Sequence, residues 1–268
     1  MPLGLYVHIP FCKSKCFYCS FASFAGKDEL IEPYLAALEK EARIYEGTRV
    51  STVYIGGGTP TFLSVPQIRS LADIIHSHFS IEKDAEMTVE ANPATFDAEK
   101  ARVLFELKFN RVSLGVQSLH DDNLKYLGRP HHAADCLLAF ETLRKAGFKN
   151  ISLDLIYSLP AQTRKDIEKD ALGLISLGSE HISLYTLSSA EGSEFHTRKV
   201  MPPDPEKQGK DYLFISQLLK RRGFFHYEVS NFAQGRYACQ HNLNYWRGGD
   251  YIGLGAAAHS HIEDKRFW

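Results

Sequence analysis

Residues 5–19 read LYVHIPFCKSKCFYC, and this stretch decides the fold. Its first five residues form a mostly apolar run that ends at Pro10, and such a run predicts a buried strand. Three cysteines, Cys12, Cys16 and Cys19, follow the strand directly with the spacing C-x3-C-x2-C. The stretch therefore predicts a thiolate metal site on the loop that leaves the first strand.

Five further apolar runs of similar length follow, and segments with helical periodicity separate them. The predicted strands are residues 5–9, 51–55, 86–91, 111–116, 150–157 and 181–187. Regular alternation of strands and helices is typical of a parallel α/β sheet, either open and doubly wound or an incomplete barrel. Helix signals include Asp97 as an N-cap, Thr163 and Asp166 as a capping box, and Gly147 after a C-terminus. We assign residues 1–195 to this sheet and residues 196–268 to a loop-rich C-terminal extension.

Composition excludes several classes of protein. The 268 residues contain 31 Lys and Arg against 32 Asp and Glu, a net charge of -1 that gives no general electrostatic reason to bind nucleic acid. No apolar run approaches the roughly 20 residues of a membrane span, and the N-terminus lacks the features of a signal peptide. Five cysteines, three of them within eight residues, do not resemble a disulfide framework. We therefore expect a reducing, cytoplasmic location.

The cysteine loop alone leaves two kinds of metal site open. A structural zinc site usually has four ligands, but Cys136 and Cys239 lie in unrelated segments. His8 is another candidate ligand, although a histidine within a strand is more often hydrogen-bonded in the core. Three local thiolates suit a [4Fe-4S] cluster in which one iron stays open to another ligand.

Polar residues and glycines follow the predicted strands at their carboxyl ends, where parallel barrels place their active sites. Each has a structural alternative: the glycines could form a tight turn, the carboxylate that ends the third strand could cap a helix, and the glutamine could lie on the surface. Asp154, within an apolar run, needs a partner or a ligand. Together they predict one polar pocket. The candidates are Gly57, Gly58, Thr59, Glu90, Gln117 and Asp154.

The segment YVHIPF at residues 6–11, with the C-x3-C-x2-C loop, resembles the radical S-adenosylmethionine (SAM) superfamily. More narrowly, it resembles the oxygen-independent coproporphyrinogen III oxidase family. The resemblance implies a partial (β/α)6 barrel of the TIM type and a [4Fe-4S] cluster on Cys12, Cys16 and Cys19. It also implies that SAM chelates the fourth iron and that an electron donor reduces the cluster, so that SAM is cleaved to a 5′-deoxyadenosyl radical.

The same resemblance implies which residues contact SAM. In these contacts Arg129 pairs a carboxylate, the carboxylates hold ribose hydroxyls or ammonium groups, and the aromatic residue between the last two cysteines contacts the ligand. The implied contacts are Tyr6, Tyr18, Gly57, Gly58, Thr59, Glu90, Gln117, Arg129 and Asp154.

Two functions within this family compete. One is the oxidase, which oxidatively decarboxylates two propionates, and the other is a heme chaperone, which delivers heme to an acceptor protein. Phe21 stands where the oxidases usually carry a fourth cysteine, so the chain resembles the chaperone branch. A radical enzyme with another substrate is a third, more remote alternative. We expect heme as cargo and an acceptor protein as partner, for which a membrane protein is one option, and we leave the oligomeric state open.

The segment HNLNYW at residues 241–246 resembles the HNxxYW heme-binding motif of the chaperone branch. The resemblance implies His241 as a heme ligand. The structural alternative is a packed aromatic turn with a hydrogen-bonded histidine, and His259 and His261 are weaker candidates for the ligand. The family usually continues into a further C-terminal helical domain, which these 268 residues do not contain.

One segment departs from the family pattern. Where the family usually reads GLGPGAHS, this chain reads GLGAAAHS at residues 253–260. If this turn needs a positive φ at Ala257, an alanine is strained there.

Overall fold

The computed structural model describes residues 3–268, and all six predicted strands form. The strands are β1 (Gly4–Ile9), β2 (Phe11–Cys12), β3 (Phe24–Ala25), β4 (Thr48–Gly57), β5 (Phe79–Ala91), β6 (Arg111–Gln117), β7 (Ile151–Tyr157), β8 (His181–Thr186), β9 (Phe225–His226), β10 (Asn231–Ala233), β11 (Tyr251–Leu254), β12 (Ser260–Ile262) and β13 (Lys265–Phe267). The predicted strands correspond to β1 and β4–β8. β4 and β5 begin earlier than predicted, because polar residues at their starts obscure the apolar pattern.

Helices connect the parallel strands. They are α1 (Ile31–Ala42), α2 (Val65–His78), α3 (Ala98–Glu106), α4 (Asp121–Tyr126), α5 (Ala133–Ala146), α6 (Arg164–Ser176), α7 (Glu194–Thr197), α8 (Pro205–Arg221) and α9 (Gln240–Trp246). The predicted boundaries hold: Asp97 caps α3, Thr163 and Asp166 form the capping box of α6, and Gly147 ends α5 at φ 109°. Across residues 3–268, no helix has both the length and the apolar composition to cross a bilayer.

The central sheet is a partial barrel of parallel strands. β1, β4, β5, β6, β7 and β8 are neighbours in that order, and each pair is parallel. Leu5, Val7 and Ile9 on one face of β1 are fully buried, and His8 on the other face is only 5% exposed, as expected for a strand with both faces covered. Within residues 3–268 the strand order ends at β13 on one side and β9 on the other, so the barrel stays open.

The C-terminal stretch completes this sheet instead of standing apart from it. β11 pairs in parallel with β1 on one side of the six strands, and β10 pairs antiparallel with β8 on the other. β12 and β13 extend the first side, and β9 extends the second. The strands of the stretch are only two to four residues long, which explains why composition predicted loops. Residues from both ends of the chain therefore meet beside β1.

The turn that departs from the family pattern has the conformation that makes alanine costly. Ala257 has a φ of 66°, in the left-handed region, and Gly255 in the same turn has a φ of 92°. A residue with a Cβ pays about 1–2 kcal/mol in this region, and glycine does not. Ala257 therefore stores strain in the turn between β11 and β12.

We expect Ala257→Gly to stabilise the protein by about 0.5–1 kcal/mol. The relieved strain exceeds the extra chain entropy that glycine gives the unfolded state, which is about 0.4–1 kcal/mol. Urea unfolding measures the change. Ala256→Gly is the matched control, because Ala256 is exposed and has no positive φ, and it is expected to lower stability slightly. Equal changes in stability for the two substitutions would contradict backbone strain at Ala257.

Candidate functional site

A cavity of about 350 Å³ lies at the carboxyl ends of the parallel strands. The structure brings together there all three loop cysteines and all but two of the other site residues that the sequence indicated. Its walls include Cys12, Cys16, Tyr18, Cys19, Gly57, Gly58, Thr59, Glu90, Gln117, Arg129 and Asp154. Tyr6 and His241 lie outside this cavity, which we call the cofactor cavity.

The three thiols border the cofactor cavity without meeting at one point. Thr59 Oγ1 donates to Cys12 Sγ at 3.5 Å, and Arg129 Nη1 donates to Cys16 Sγ at 3.4 Å. Across residues 3–268, no three His, Cys, Asp or Glu side chains converge closely enough to hold a single metal ion. A zinc ion needs ligands about 2–2.3 Å from one point, whereas thiolates spaced around an open volume suit the larger iron–sulfur cluster.

A glycine makes room beside the cysteine loop. A Cβ on Gly58 would lie 2.9 Å from Cys12 Sγ and 2.7 Å from the carbonyl oxygen of Phe11, both closer than real contacts allow. The triple glycine is therefore more than a tight turn, because its missing side chain lets the cysteine loop pack directly on the end of β4. This close approach places Cys12 Sγ beside Gly58 in the wall of the cofactor cavity.

Arg129 fixes the cysteine loop to the sheet. Besides Cys16, its guanidinium donates to Tyr18 Oη at 3.4 Å, to the carbonyl oxygen of Gly115 at 2.7 Å and to Asn92 Oδ1. Its Nε is buried and has no hydrogen-bond partner among the described residues. One cation thus joins the loop to the ends of β5 and β6 and contacts one of the three loop cysteines.

Gln117 ends β6 in a strained conformation. Its φ is 68°, and the pairing of β6 with β7 shifts register beside it. Its Oε1 is buried and has no partner within residues 3–268. Backbone strain and an unpaired buried acceptor each cost free energy and are concentrated at ligand sites.

Two carboxyl groups face the cofactor cavity. Glu90 accepts hydrogen bonds from Tyr54 Oη at 2.9 Å and from the backbone nitrogen of Gly57 at 3.2 Å. Burial raises the pKa of Glu90 to about 7, and the nearby Asp154 adds to the rise. Asp154 accepts from Ser113 Oγ at 3.2 Å, and burial raises its pKa as well. Serines therefore provide the partners that Asp154 needs inside its apolar strand.

The sequence analysis missed several residues of the cavity wall. Asn92 follows Glu90 by two residues and binds Arg129, but its place before Pro93 marked it only as the end of a strand. Its position at the same rim as Glu90 was the signal that could have identified it. Further wall residues have no distinctive sequence pattern and lie on strands β6 and β8 or just after β8: Ser113, Tyr185, Thr186 and Ser188.

A second and larger cavity of about 910 Å³, which we call the aromatic groove, adjoins the cofactor cavity. The two share Gly57 and Glu90, and the exposed Phe21 borders both. The aromatic groove is lined by residues from both ends of the chain, including Tyr6, His8, Tyr245, Tyr251, His259, His261 and Arg266. Tyr6 therefore faces this groove, with its Oη 3.0 Å from His8 Nδ1.

His241 is buried beneath the aromatic groove, with 1% of its surface exposed. Its Nδ1 lies 2.8 Å from Thr52 Oγ1, and its Nε2 lies 2.8 Å from Tyr245 Oη. Its ring stacks on Tyr54 with centroids 5.3 Å apart, and burial lowers its pKa to about 3. In this conformation both ring nitrogens are engaged, as in the structural alternative of a packed, hydrogen-bonded histidine.

Glu86 places the HNLNYW segment, which forms most of α9. Its carboxylate accepts from the backbone nitrogens of Gln240 and His241 at 3.0 Å each, and so it caps the first turn of the helix. An anionic group at a helix N-terminus is stabilising. The cap holds α9 against β5 and leaves Tyr245 in the groove wall and Trp246 60% exposed.

Comparisons with known proteins agree with this geometry. The family model of the radical SAM superfamily matches residues 6–172. The heme chaperone HemW of Lactococcus lactis is 37% identical over 270 residues, covering 99% of this chain and 71% of that protein. HemW of Escherichia coli is 38% identical, covering 97% of this chain and 70% of its own length.

Solved structures share the fold. The coproporphyrinogen III oxidase HemN of Escherichia coli, described as a radical SAM enzyme, superposes with a TM-score of 0.86 at 26% identity. The match covers 99% of this chain and 66% of the HemN chain. SuiB of Streptococcus suis, solved with SAM bound, has a TM-score of 0.53 at 17% identity, covers 82% of this chain and 45% of its own, and shows the fold alone. The chain belongs to the radical SAM superfamily and, within it, to the family of the HemW heme chaperones.

Proposed function

We propose that this protein is a radical SAM-type heme chaperone, which binds a [4Fe-4S] cluster, SAM and heme and passes heme to an acceptor protein. The observation that carries the proposal is the adjacency of two cavities. One contains three cysteines and two carboxyl groups, and the other is lined by aromatic and histidine side chains. The HemW relatives, which match nearly the whole chain, support the same assignment.

The cofactor cavity accounts for the cluster and SAM. Cys12, Cys16 and Cys19 hold the cluster, and the bound cluster and SAM together supply one-electron chemistry. Arg129 keeps the loop in place by donating a hydrogen bond to Cys16 Sγ. The remaining wall residues orient SAM. The glycine turn with Thr59 packs beside the loop, Tyr18 of the loop and Gln117 also line the cavity, and Glu90 and Asp154 accept from hydroxyl groups.

The aromatic groove is the proposed heme site. Its volume of about 910 Å³ lies in the range of ligand cavities, which is about 300–1,000 Å³. Tyr6, Tyr245 and Tyr251 offer flat rings to a macrocycle, and Arg266 offers a cation to a propionate. His241 remains an expected ligand of the motif, but it reaches iron only if its hydrogen bond to Tyr245 is replaced by a bond to the metal.

The alternative function is the oxygen-independent oxidase. The fold of HemN favours it, since that structure superposes over 99% of this chain. Against it stands Phe21, which occupies the position of the oxidases' fourth cysteine and is 63% exposed between the two cavities. A phenyl ring there provides no thiol chemistry, so the groove is better suited to holding a porphyrin than to transforming one.

The proposal includes partners and a location. An acceptor protein, for which a membrane protein is one option, receives the heme, and an electron donor serves the cluster. None of the five cysteines forms a disulfide within residues 3–268, and a reducing cytoplasm favours this state, so we place the protein there.

The two functions separate in a paired assay on one anaerobic, reconstituted sample. We expect ferric heme to bind with a sharpened Soret band, because an imidazole ligand and aromatic walls are available. We expect no decarboxylation of coproporphyrinogen III when SAM and a reductant are supplied. Turnover of that substrate would assign the protein to the oxidases.

Cys16→Ala is expected to abolish the cluster, because two thiolates cannot hold the cubane. Iron content per chain and the visible charge-transfer absorption after reconstitution measure the loss. Cys136→Ala is the matched control, since Cys136 is a buried thiol that does not line the cofactor cavity, and it is expected to retain full iron. Full iron in the Cys16 variant would contradict the ligand assignment.

SAM affinity is expected to rise by up to about tenfold between pH 6 and pH 8. Glu90, whose pKa is raised to about 7, is mostly protonated at the lower pH and mostly ionised at the higher, and the ionised form attracts the sulfonium and binds hydroxyls more strongly. Equilibrium dialysis with reconstituted protein measures it. Glu90→Gln should flatten the dependence, whereas Asp97→Asn, at an exposed helix cap, should preserve it. An unchanged pH dependence of SAM affinity in the Glu90→Gln variant would show that ionisation of Glu90 does not cause it.

A further inference from the structure

We propose that His261, oriented by Asp250, is the axial ligand of the heme iron in the aromatic groove. The proposal rests on the proposed heme-binding function and names the residue that performs it. It starts from the four histidines in or under the groove, namely His8, His241, His259 and His261.

Two of these histidines have no nitrogen free for a metal. His8 uses Nδ1 with Tyr6 Oη at 3.0 Å and Nε2 with the carbonyl oxygen of Ala22 at 2.8 Å. His241 uses both nitrogens as well and is almost fully buried. Each would have to break a hydrogen bond before binding iron, so both serve better as supports of the groove wall.

His261 has the arrangement of a metal-binding imidazole. Its Nδ1 lies 3.5 Å from Asp250 Oδ1, and its Nε2 has no hydrogen-bond partner among residues 3–268. A carboxylate near Nδ1 favours the tautomer whose lone pair is on Nε2, and such a neighbour is typical of histidines that bind metals. The side chain is 24% exposed and lines the groove, so a ligand can reach it.

The neighbours of His261 fit a porphyrin. Its ring is nearly parallel to that of Tyr251, with centroids 6.0 Å apart and an interplanar angle of 27°. Arg266 is its direct partner across the antiparallel pair β12–β13, and both residues line the groove. Directly opposed residues in such a pair lie on the same face of the sheet. An iron–imidazole bond and a guanidinium–propionate pair therefore fall on adjacent positions of one surface.

His259 lacks the orienting partner. It lies two residues before His261 and also lines the groove, but its Nδ1 is buried without a hydrogen-bond partner within the described residues. Its ring lies against Trp268, with centroids 5.4 Å apart. No carboxylate fixes its tautomer, which makes His259 the matched control for His261.

The test titrates ferric heme into the full chain and follows the Soret band and the electron paramagnetic resonance spectrum of the iron. His261→Ala is expected to lose the imidazole-ligated signature and at least about tenfold in heme affinity, and added imidazole should restore the signature. Asp250→Asn should weaken heme binding by about tenfold and keep the ligand. His259→Ala removes another histidine of the groove wall and is expected to keep the imidazole-ligated signature.

Iron content and SAM binding of each variant show that the barrel is folded, because those sites lie in the cofactor cavity. A His261→Ala protein that keeps the imidazole-ligated signature overturns the proposal. The proposal also fails if, among the histidine variants, His241→Ala alone loses this signature and added imidazole restores it. If the unaltered chain binds no heme, the proposed function itself fails. The failure of the ligand assignment is thus distinguishable from the failure of the heme-binding function.

Discussion

Glu90 ends β5 with a carboxyl group whose two oxygens accept hydrogen bonds from Tyr54 Oη and from the backbone nitrogen of Gly57. A carboxylate withdrawn from water needs such donors, because an unpaired buried charge costs far more than one hydrogen bond returns. The same side chain borders both the cofactor cavity and the aromatic groove. The geometry of two sites therefore depends on one partly buried acid and its two donors.

Tyr54 connects Glu90 to residues near the C-terminal end of the chain. Its ring lies between Tyr6, at 6.2 Å, and His241, at 5.3 Å, and both pairs are close to parallel. His241 in turn holds Tyr245, which lines the aromatic groove. A continuous series of stacked rings and hydrogen bonds thus connects the carboxylate in the cofactor cavity to the wall of the groove. The HNLNYW segment contributes to this connection through packing.

The glycine turn after β4 shows how the rim accommodates so many groups. A Cβ on Gly56 would lie 2.9 Å from the carboxyl carbon of Glu90, and one on Gly57 would lie 2.6 Å from the His8 ring. Gly58 makes the same room for Cys12. Three successive positions without side chains allow an acid, a histidine and a cysteine of the loop to approach one strand end. Larger residues would force these three groups apart and open both cavities.

The sequence by itself determined the six parallel strands, the helix caps and many of the residues that line the cofactor cavity. It could do so because buried parallel strands leave near-continuous apolar runs, and because the carboxyl ends of such strands meet at one rim, which places the cysteine loop, Glu90 and Asp154 together. Only the tertiary structure decided that Tyr6 faces the aromatic groove and that His241 lies beneath it. Those positions depend on β11 pairing with β1 and on Glu86 capping α9 across 155 residues of sequence, and no local pattern records contacts between such distant segments.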